Sequence, residues 1–347
     1  MTEKMRVGLC DATQLSDEVL RFGAQLGLTS VRTGGQHLLP GDHRWEYEDL
    51  TALVARVAFH GLRLEAIENV PYEFYDAVLL GLPGRDEQIT HYQETIRNMG
   101  RAGIPILGYN FMPTAVWRTP DRRGRGGARV TAFDMALVEA ASPDVQRSFS
   151  TVKDAVMDDI FAHGRETVVT EEMMWENYAY FLRAVLPVAE AAGVRLALHP
   201  DDPPVAMLGG VARIFKSVDD FKRGYALANG STAWGLDLCL GCCSEMAGGA
   251  ANVREMIEFF GPKGRIFYVH FRDVQGSVPA FAECFIGEGN YNAAATMRLL
   301  KRSGFTGFLL DDHVPHMTGD TQWAHRGRAH AIGYMQGLLD MIETLGG

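Results

Sequence analysis

Several protein classes are excluded by what this sequence does not contain. No apolar run in its 347 residues approaches the ~20 that a membrane-spanning helix needs. Basic residues are in the minority: 33 Lys and Arg face 43 Asp and Glu, for a formal net charge of -10. Such a surface disfavours nucleic acid and anionic membranes, although a cleft can still be locally basic. Cysteines number five, an odd count, and Cys239, Cys242 and Cys243 cluster. In a chain this long that pattern reads as a cytoplasmic protein with thiols, not a disulfide framework. The opening residues 1–6 lack the basic start, apolar stretch and cleavage site of a signal peptide. No segment resembles a flexible linker. No glycine-rich dinucleotide fingerprint follows the first apolar run, which argues against a doubly wound open sheet.

What is present is an alternation of short β-like runs with longer helical ones. Candidate strands fall at residues 6–10, 30–32, 63–67, 106–110, 195–199, 233–238, 266–270 and 307–310. Most are apolar and bounded by glycine or polar residues, as strands buried on both faces should be. Amphipathic stretches separate them, at 50–59, 88–102, 171–192, 217–228 and 328–345. Gly61, Gly103, Gly193 and Gly304 stand where a left-handed residue would close a helix before the next strand. Eight such repeats predict one α/β domain over residues 1–347, a single (β/α)8 TIM barrel with a long insertion after strand 4. The insertion, residues 113–170, carries the basic, glycine-rich stretch 122–129. Its length suggests a lid over the barrel mouth; a phosphate-binding loop and a merely solvated loop are the other readings.

In a parallel barrel, chemistry sits at the C-terminal strand ends. The polar residues there are Glu68 and Asn69, Asn110, His199, Asp237 to Cys239, His270 to Asp273, and Asp311 to His313. Imidazoles from His199 and His270, a thiolate from Cys239 and a carboxylate from Asp312 are good ligands for a divalent cation. They come from consecutive strands and can converge above the barrel axis. Thiolate and carboxylate together would balance the charge of the ion. Singly, each residue has a plainer use: a strand-end histidine is often only hydrogen-bonded, a buried cysteine is a small apolar group, and an aspartate caps a helix. Cys242 and Cys243 read as neighbours of the one useful thiolate. His313, beside Asp312, is the natural general acid or base. Glu68, Asn110 and Arg272 are candidate substrate binders.

Longer motifs then point to a family. Glu68-Asn69-Val70-Pro71, residues 81–86 (GLPGRD), 95–98 (TIRN), 109–113 (YNFMP), 198–204 (LHPDDPP) and 270–274 (HFRDV), together with Asp312-His313 and Gly327-Arg328, resemble the mannonate dehydratases through nearly the whole chain. The resemblance implies a metal-dependent (β/α)8 hydro-lyase that removes water from D-mannonate, or a related aldonic acid, to give 2-keto-3-deoxy-D-gluconate. It implies Mn2+ as cofactor, with Fe2+ or another divalent metal as substitutes. It places the metal ligands on His199, Cys239, His270 and Asp312 and the catalytic histidine on His313. It also implies a small-molecule sugar acid as partner and a homo-oligomer.

Two positions depart from the family's pattern. Leu310 stands where an arginine is common, and it cannot form a fork with a substrate carboxylate. Trp323 stands where a tyrosine is usual, and it has no titratable hydroxyl. The partner for His313 would then be Tyr109, Asp311 or a metal-bound water. The same departures keep two alternatives open: a metal-dependent sugar isomerase or epimerase, and a non-catalytic sugar-binding relative.

Overall fold

In the computed structural model, which describes residues 4–11, 15–36 and 38–345, the eight expected strands form one closed parallel barrel. Residues 1–3 of the opening segment lie outside the described residues. The strands are β1 (Arg6–Asp11), β2 (Ser30–Gly34), β3 (Arg63–Glu68), β4 (Ile106–Tyr109), β5 (Arg195–Leu198), β6 (Trp234–Cys239), β7 (Ile266–His270) and β8 (Phe308–Leu310). Each pairs with its neighbours in chain order, and β8 returns to β1 through Arg6↔Phe308 and Val7↔Leu309. Helices between the strands form the outer layer. One of them, Glu171–Ala192, has the bounds expected from its apolar period. The four glycines expected to end helices all adopt positive φ, from 68° to 85°. No helix among the described residues is long and apolar enough to cross a membrane.

The barrel encloses a small cluster: Cys10, Ala66, Ile106, Ala197, Phe267, Tyr268, Phe308 and Leu310. Above it the interior turns polar. Tyr268 donates to Glu68 across the barrel at 3.0 Å. That path exists because residue 108 is glycine: a Cβ there would lie 2.3 Å from the Tyr268 hydroxyl. Arg32 rises beside Glu68 and pairs with it.

Residues 113–170 are built from ordered elements. Strands Thr119–Arg123 and Arg129–Asp134 form a hairpin, and helices Met135–Ala140, Pro143–Phe149 and Ala155–Glu166 follow. The hairpin joins a second one, Asp273–Ser277 with Ala280–Cys284, in a four-stranded antiparallel sheet. This second hairpin follows β7 directly and had no sequence expectation. Most arginines of the basic stretch are taken up by the sheet and its surroundings. Arg122 pairs with Asp134 at 3.0 Å, Arg129 with Asp121 at 2.8 Å, and Arg125 with Glu288 at 2.5 Å.

Candidate active site

The four proposed ligands stand at the C-terminal rim. His199 follows β5, Cys239 ends β6, His270 ends β7 and Asp312 lies two residues beyond β8. His199, Cys239 and His270 are buried, and their ligand atoms lie within 4.8 Å of one another. Nδ1 of His199 is 2.7 Å from the Pro200 carbonyl. A carbonyl only accepts, so Nδ1 carries the proton and Nε2 is the atom that can ligate. Asp312 approaches the group from the side, its Oδ2 3.6 Å from Nδ1 of His270. Its backbone is left-handed, φ 46°, a conformation that aspartate tolerates better than most residues. Neither ring nitrogen of His270 makes a hydrogen bond. Its Nε2 lies 3.3 Å from Glu68 and 3.4 Å from Asp237.

The electrostatics mark the site as a place that attracts positive charge. Burial by itself would raise the Cys239 thiol. Hydrogen bonding from Cys242, the Arg272 charge and the two imidazoles reverse this and hold it well below the ordinary thiol range. Burial would likewise lower His199, but its bond to Cys239 and the Asp237 charge lift it to about 9. Burial opposes ionisation of Asp312 too, yet the charges of His313 and His270 bring it down to about 2. Asp237, buried and close to Glu68, is pushed well above the carboxylate range, and neither of its oxygens has a hydrogen-bond partner.

Two further groups of possible ligands lie near by, and a protein cation fills one of them. Asp202, Cys242 and Glu245 surround the Arg272 guanidinium, which reaches each of them at 3.0 Å. In the other, Glu68, Asp237 and His270 sit inside the barrel above Tyr268, with Glu68 bonded to Arg32 and Tyr268 and the other two without hydrogen-bond partners. Of the proposed substrate binders, Glu68 and Asn110 line a cavity of about 180 Å3, together with His199, His270, Asp312 and His313. Asn110 donates to Asn69 at 2.9 Å. Arg272 is enclosed instead. Its Nε lies 3.2 Å from Cys239 Sγ, its Nη1 2.5 Å from Glu283 and its Nη2 3.0 Å from Cys242 Sγ, so every nitrogen is engaged by the protein.

Asp312 and His313 also border a larger cavity, of about 560 Å3, walled by Arg129, His316, Trp323 and Arg328. Trp323 donates from its indole to Asp11 at 3.2 Å and lies under the Arg328 guanidinium. Leu310 points into the apolar barrel cluster. Tyr109 is fully buried, its hydroxyl 2.9 Å from that of Tyr178, and it borders neither cavity. Asp311 pairs with Arg328 at 2.9 Å.

Glu283 and Arg118 were not singled out in the sequence. Glu283, on the second hairpin, lies 3.1 Å from His313 Nδ1. Arg118 forks onto Asp202 at 2.5 and 2.7 Å. Both lie in the non-barrel part of the fold, where strand order says nothing about the site. The turn-like residues Gly276 to Pro279 were the one available sign of the hairpin.

The family model described as D-mannonate dehydratase (UxuA) matches residues 17–346. A mannonate dehydratase of Thermotoga neapolitana is 32% identical over 332 residues, covering 88% of this chain and 89% of that protein. The crystal structure of mannonate dehydratase from Streptococcus suis serotype 2 superposes with a TM-score of 0.85 at 28% identity, over 100% of this chain and 97% of that one. An L-ribulose 3-epimerase shares the fold alone, with a TM-score of 0.59 at 16% identity, over 100% of this chain and 97% of that one. On these grounds the chain belongs to the D-mannonate dehydratase family.

Proposed function

We propose that this family member eliminates water from D-mannonate or a related aldonic acid at a divalent-metal centre held by His199, Cys239, His270 and Asp312. The observation that carries the reading is the convergence of two imidazoles and a depressed thiol within 4.8 Å, in a chain matched by the family over residues 17–346. The residues suit such an ion. Nitrogen, sulfur and carboxylate donors form a set for manganese, iron, cobalt or zinc. The unbonded ring nitrogens of His270 are buried polar atoms in need of a partner. Manganese is the metal of this reading, after the family resemblance. When bound, the metal supplies Lewis acidity toward substrate oxygens on which negative charge grows.

The chain's own groups do the rest. Elimination takes a proton from the carbon beside the carboxylate and returns one to the departing hydroxyl. His313 faces both cavities and is half exposed, so it reaches substrate and can exchange protons with solvent. Arg272 stays with the protein as counter-charge to Cys239 and Asp312. Tyr109 is too deep to be its partner in proton transfer, and Asp311 is committed to Arg328. Arg129 and Arg328, on the wall of the larger cavity, each keep a protein carboxylate on Nη1, Asp121 and Asp311, and offer their remaining N–H groups to a substrate carboxylate in place of an arginine at 310. A cytoplasmic location and a homo-oligomer belong to the same reading; light scattering on the purified protein tests the latter.

The deciding experiment loads the protein with Mn2+ and follows sugar acids and ketoses by NMR. Appearance of a 2-keto-3-deoxy acid is the expected result. The isomerase reading draws on Leu310, and exchange of a carbon-bound proton on a ketose without loss of water would replace the proposal with it.

A further inference from the structure

We propose that Glu283 is a positioning residue for proton transfer: from the hairpin after β7 it holds Nδ1 of His313 and turns Nε2 toward Asp312 and the substrate. This rests on the role given to His313 above.

Glu283 belongs to no barrel strand. It sits in strand Ala280–Cys284, opposite Val274 in the antiparallel register. It is 4% exposed, so its carboxylate has left water and requires compensation. Arg272 supplies part of it, with Nη1 2.5 Å from Oε1, and Arg118 lies 3.5 Å from the same oxygen. Nδ1 of His313 completes the set at 3.1 Å. The other oxygen, Oε2, is buried and makes no hydrogen bond. The whole polar function of this carboxylate is therefore directed at two guanidiniums and one imidazole.

His313 needs such a contact. Its side chain is 41% exposed, and a histidine so placed has neither a fixed ring orientation nor a fixed tautomer unless something holds one nitrogen. A carboxylate accepts, so the bond to Glu283 puts the proton on Nδ1. Nε2 is then left with its lone pair, 3.9 Å from Asp312 Oδ2. Arg118 Nη2 also comes within 3.4 Å of Nδ1, and a guanidinium, which only donates, would select the opposite tautomer. The distances favour Glu283, and Arg118 is already committed to Asp202 through two shorter bonds. A base held by a third group is the arrangement that activates proton transfer in unrelated enzymes. Here the third group comes from the auxiliary sheet, so a part of the fold outside the barrel sets the proton chemistry at its mouth.

The test uses Mn2+-loaded protein and D-mannonate. Glu283→Gln keeps size and loses the charge. We expect it to lower kcat by about 10²-fold while KM and bound metal stay within about threefold. Glu283→Asp should recover part of that loss. In a His313→Ala background, Glu283→Gln should cost nothing further, because the histidine it acts through is gone. Losses that multiply in the double variant, or metal lost together with activity in Glu283→Gln, would overturn the proposal. Full activity in His313→Ala would instead remove the reading of His313 on which it stands. Nitrogen-15 NMR of the unsubstituted protein gives an answer independent of turnover. The Nδ1–H tautomer of His313 is expected, and finding Nε2–H sinks the proposal.

Discussion

At Cys239 one sulfur atom serves three demands: it ends β6, accepts the Cys242 amide at 3.4 Å, and faces two imidazoles. Serine would keep the shape but not the soft, ionised donor, and Asp312→Asn would remove a negative ligand without changing size. Both should lose bound metal after dialysis, measured by elemental analysis, whereas His313→Ala should keep it and lose turnover. Retention of a full equivalent of metal by Cys239→Ser would remove the thiolate from the site. A second residue-scale prediction concerns acid. Burial alone would raise the Asp202 carboxyl, but Arg118 and Arg272 more than reverse that and hold it well below the usual range. A carboxylate depressed on folding adds stability above its unfolded value, and the contribution drains away as pH falls through the folded one. Asp202→Asn leaves two buried guanidiniums short of an acceptor and should cost about 3–5 kcal/mol near neutrality. The gap between variant and parent should narrow steadily below about pH 4, as urea titrations at several pH values would show. A gap independent of pH would mean that the pair contributes through packing alone. Gly241 belongs with these residues, since a Cβ there would meet the Arg272 guanidinium at 2.7 Å.

The elements differ in how clearly the sequence announces them. The eight barrel strands were legible, with ends displaced by no more than two residues, because burial on both faces makes them continuous apolar runs. The helices tended to start earlier than their apolar period suggests. Residues 47–49 and 85–87 form polar first turns that carry no periodic signal but favour a helix N-terminus. The grouping of the proposed ligands His199, Cys239, His270 and Asp312 was legible because barrel strands end at a common rim. The auxiliary sheet was not. Its strand Thr119–Arg123 reads TPDRR, with one buried residue at its start and four exposed, so alternation is absent. The pairing of strand Arg129–Asp134 with Ala280–Cys284 spans more than a hundred residues, which no local pattern encodes. Trp117 fastens this part to the rest: it is fully buried, its indole donates to the Thr114 carbonyl at 2.8 Å, and its ring stacks on Phe161 at 5.6 Å. Trp117→Ala should cost about 3–5 kcal/mol locally. Limited proteolysis should then cut first within residues 119–166 while far-ultraviolet circular dichroism stays close to that of the parent. Turnover should fall with it, because Arg118 and Glu283 lose their support. Cleavage spread evenly over the chain would show that insertion and barrel unfold as one unit.

For the whole molecule, the site and the fold are linked by mass action. The proposed ligands stand at the ends of four different strands, β5 to β8, so an ion bound to all of them would hold that half of the barrel closed and would have no equivalent in the unfolded chain. Binding at a hundred times its dissociation constant should stabilise the native state by about 2.7 kcal/mol. With an unfolding entropy of roughly 2.1 cal/mol/K per residue, that becomes a rise of about 4 °C in Tm for a chain of 347 residues. Manganese, cobalt and zinc should each produce it. Magnesium should fall short, because a hard cation gains little from sulfur and imidazole. The acidic surface, with its net charge of -10, attracts any divalent ion weakly, and the Cys239→Ser variant separates the two effects. In that variant the rise with manganese should shrink to the size of the magnesium effect. If manganese still raises its Tm by the full amount, the stabilising ion sits elsewhere on the molecule, and β5 to β8 do not hold it between them.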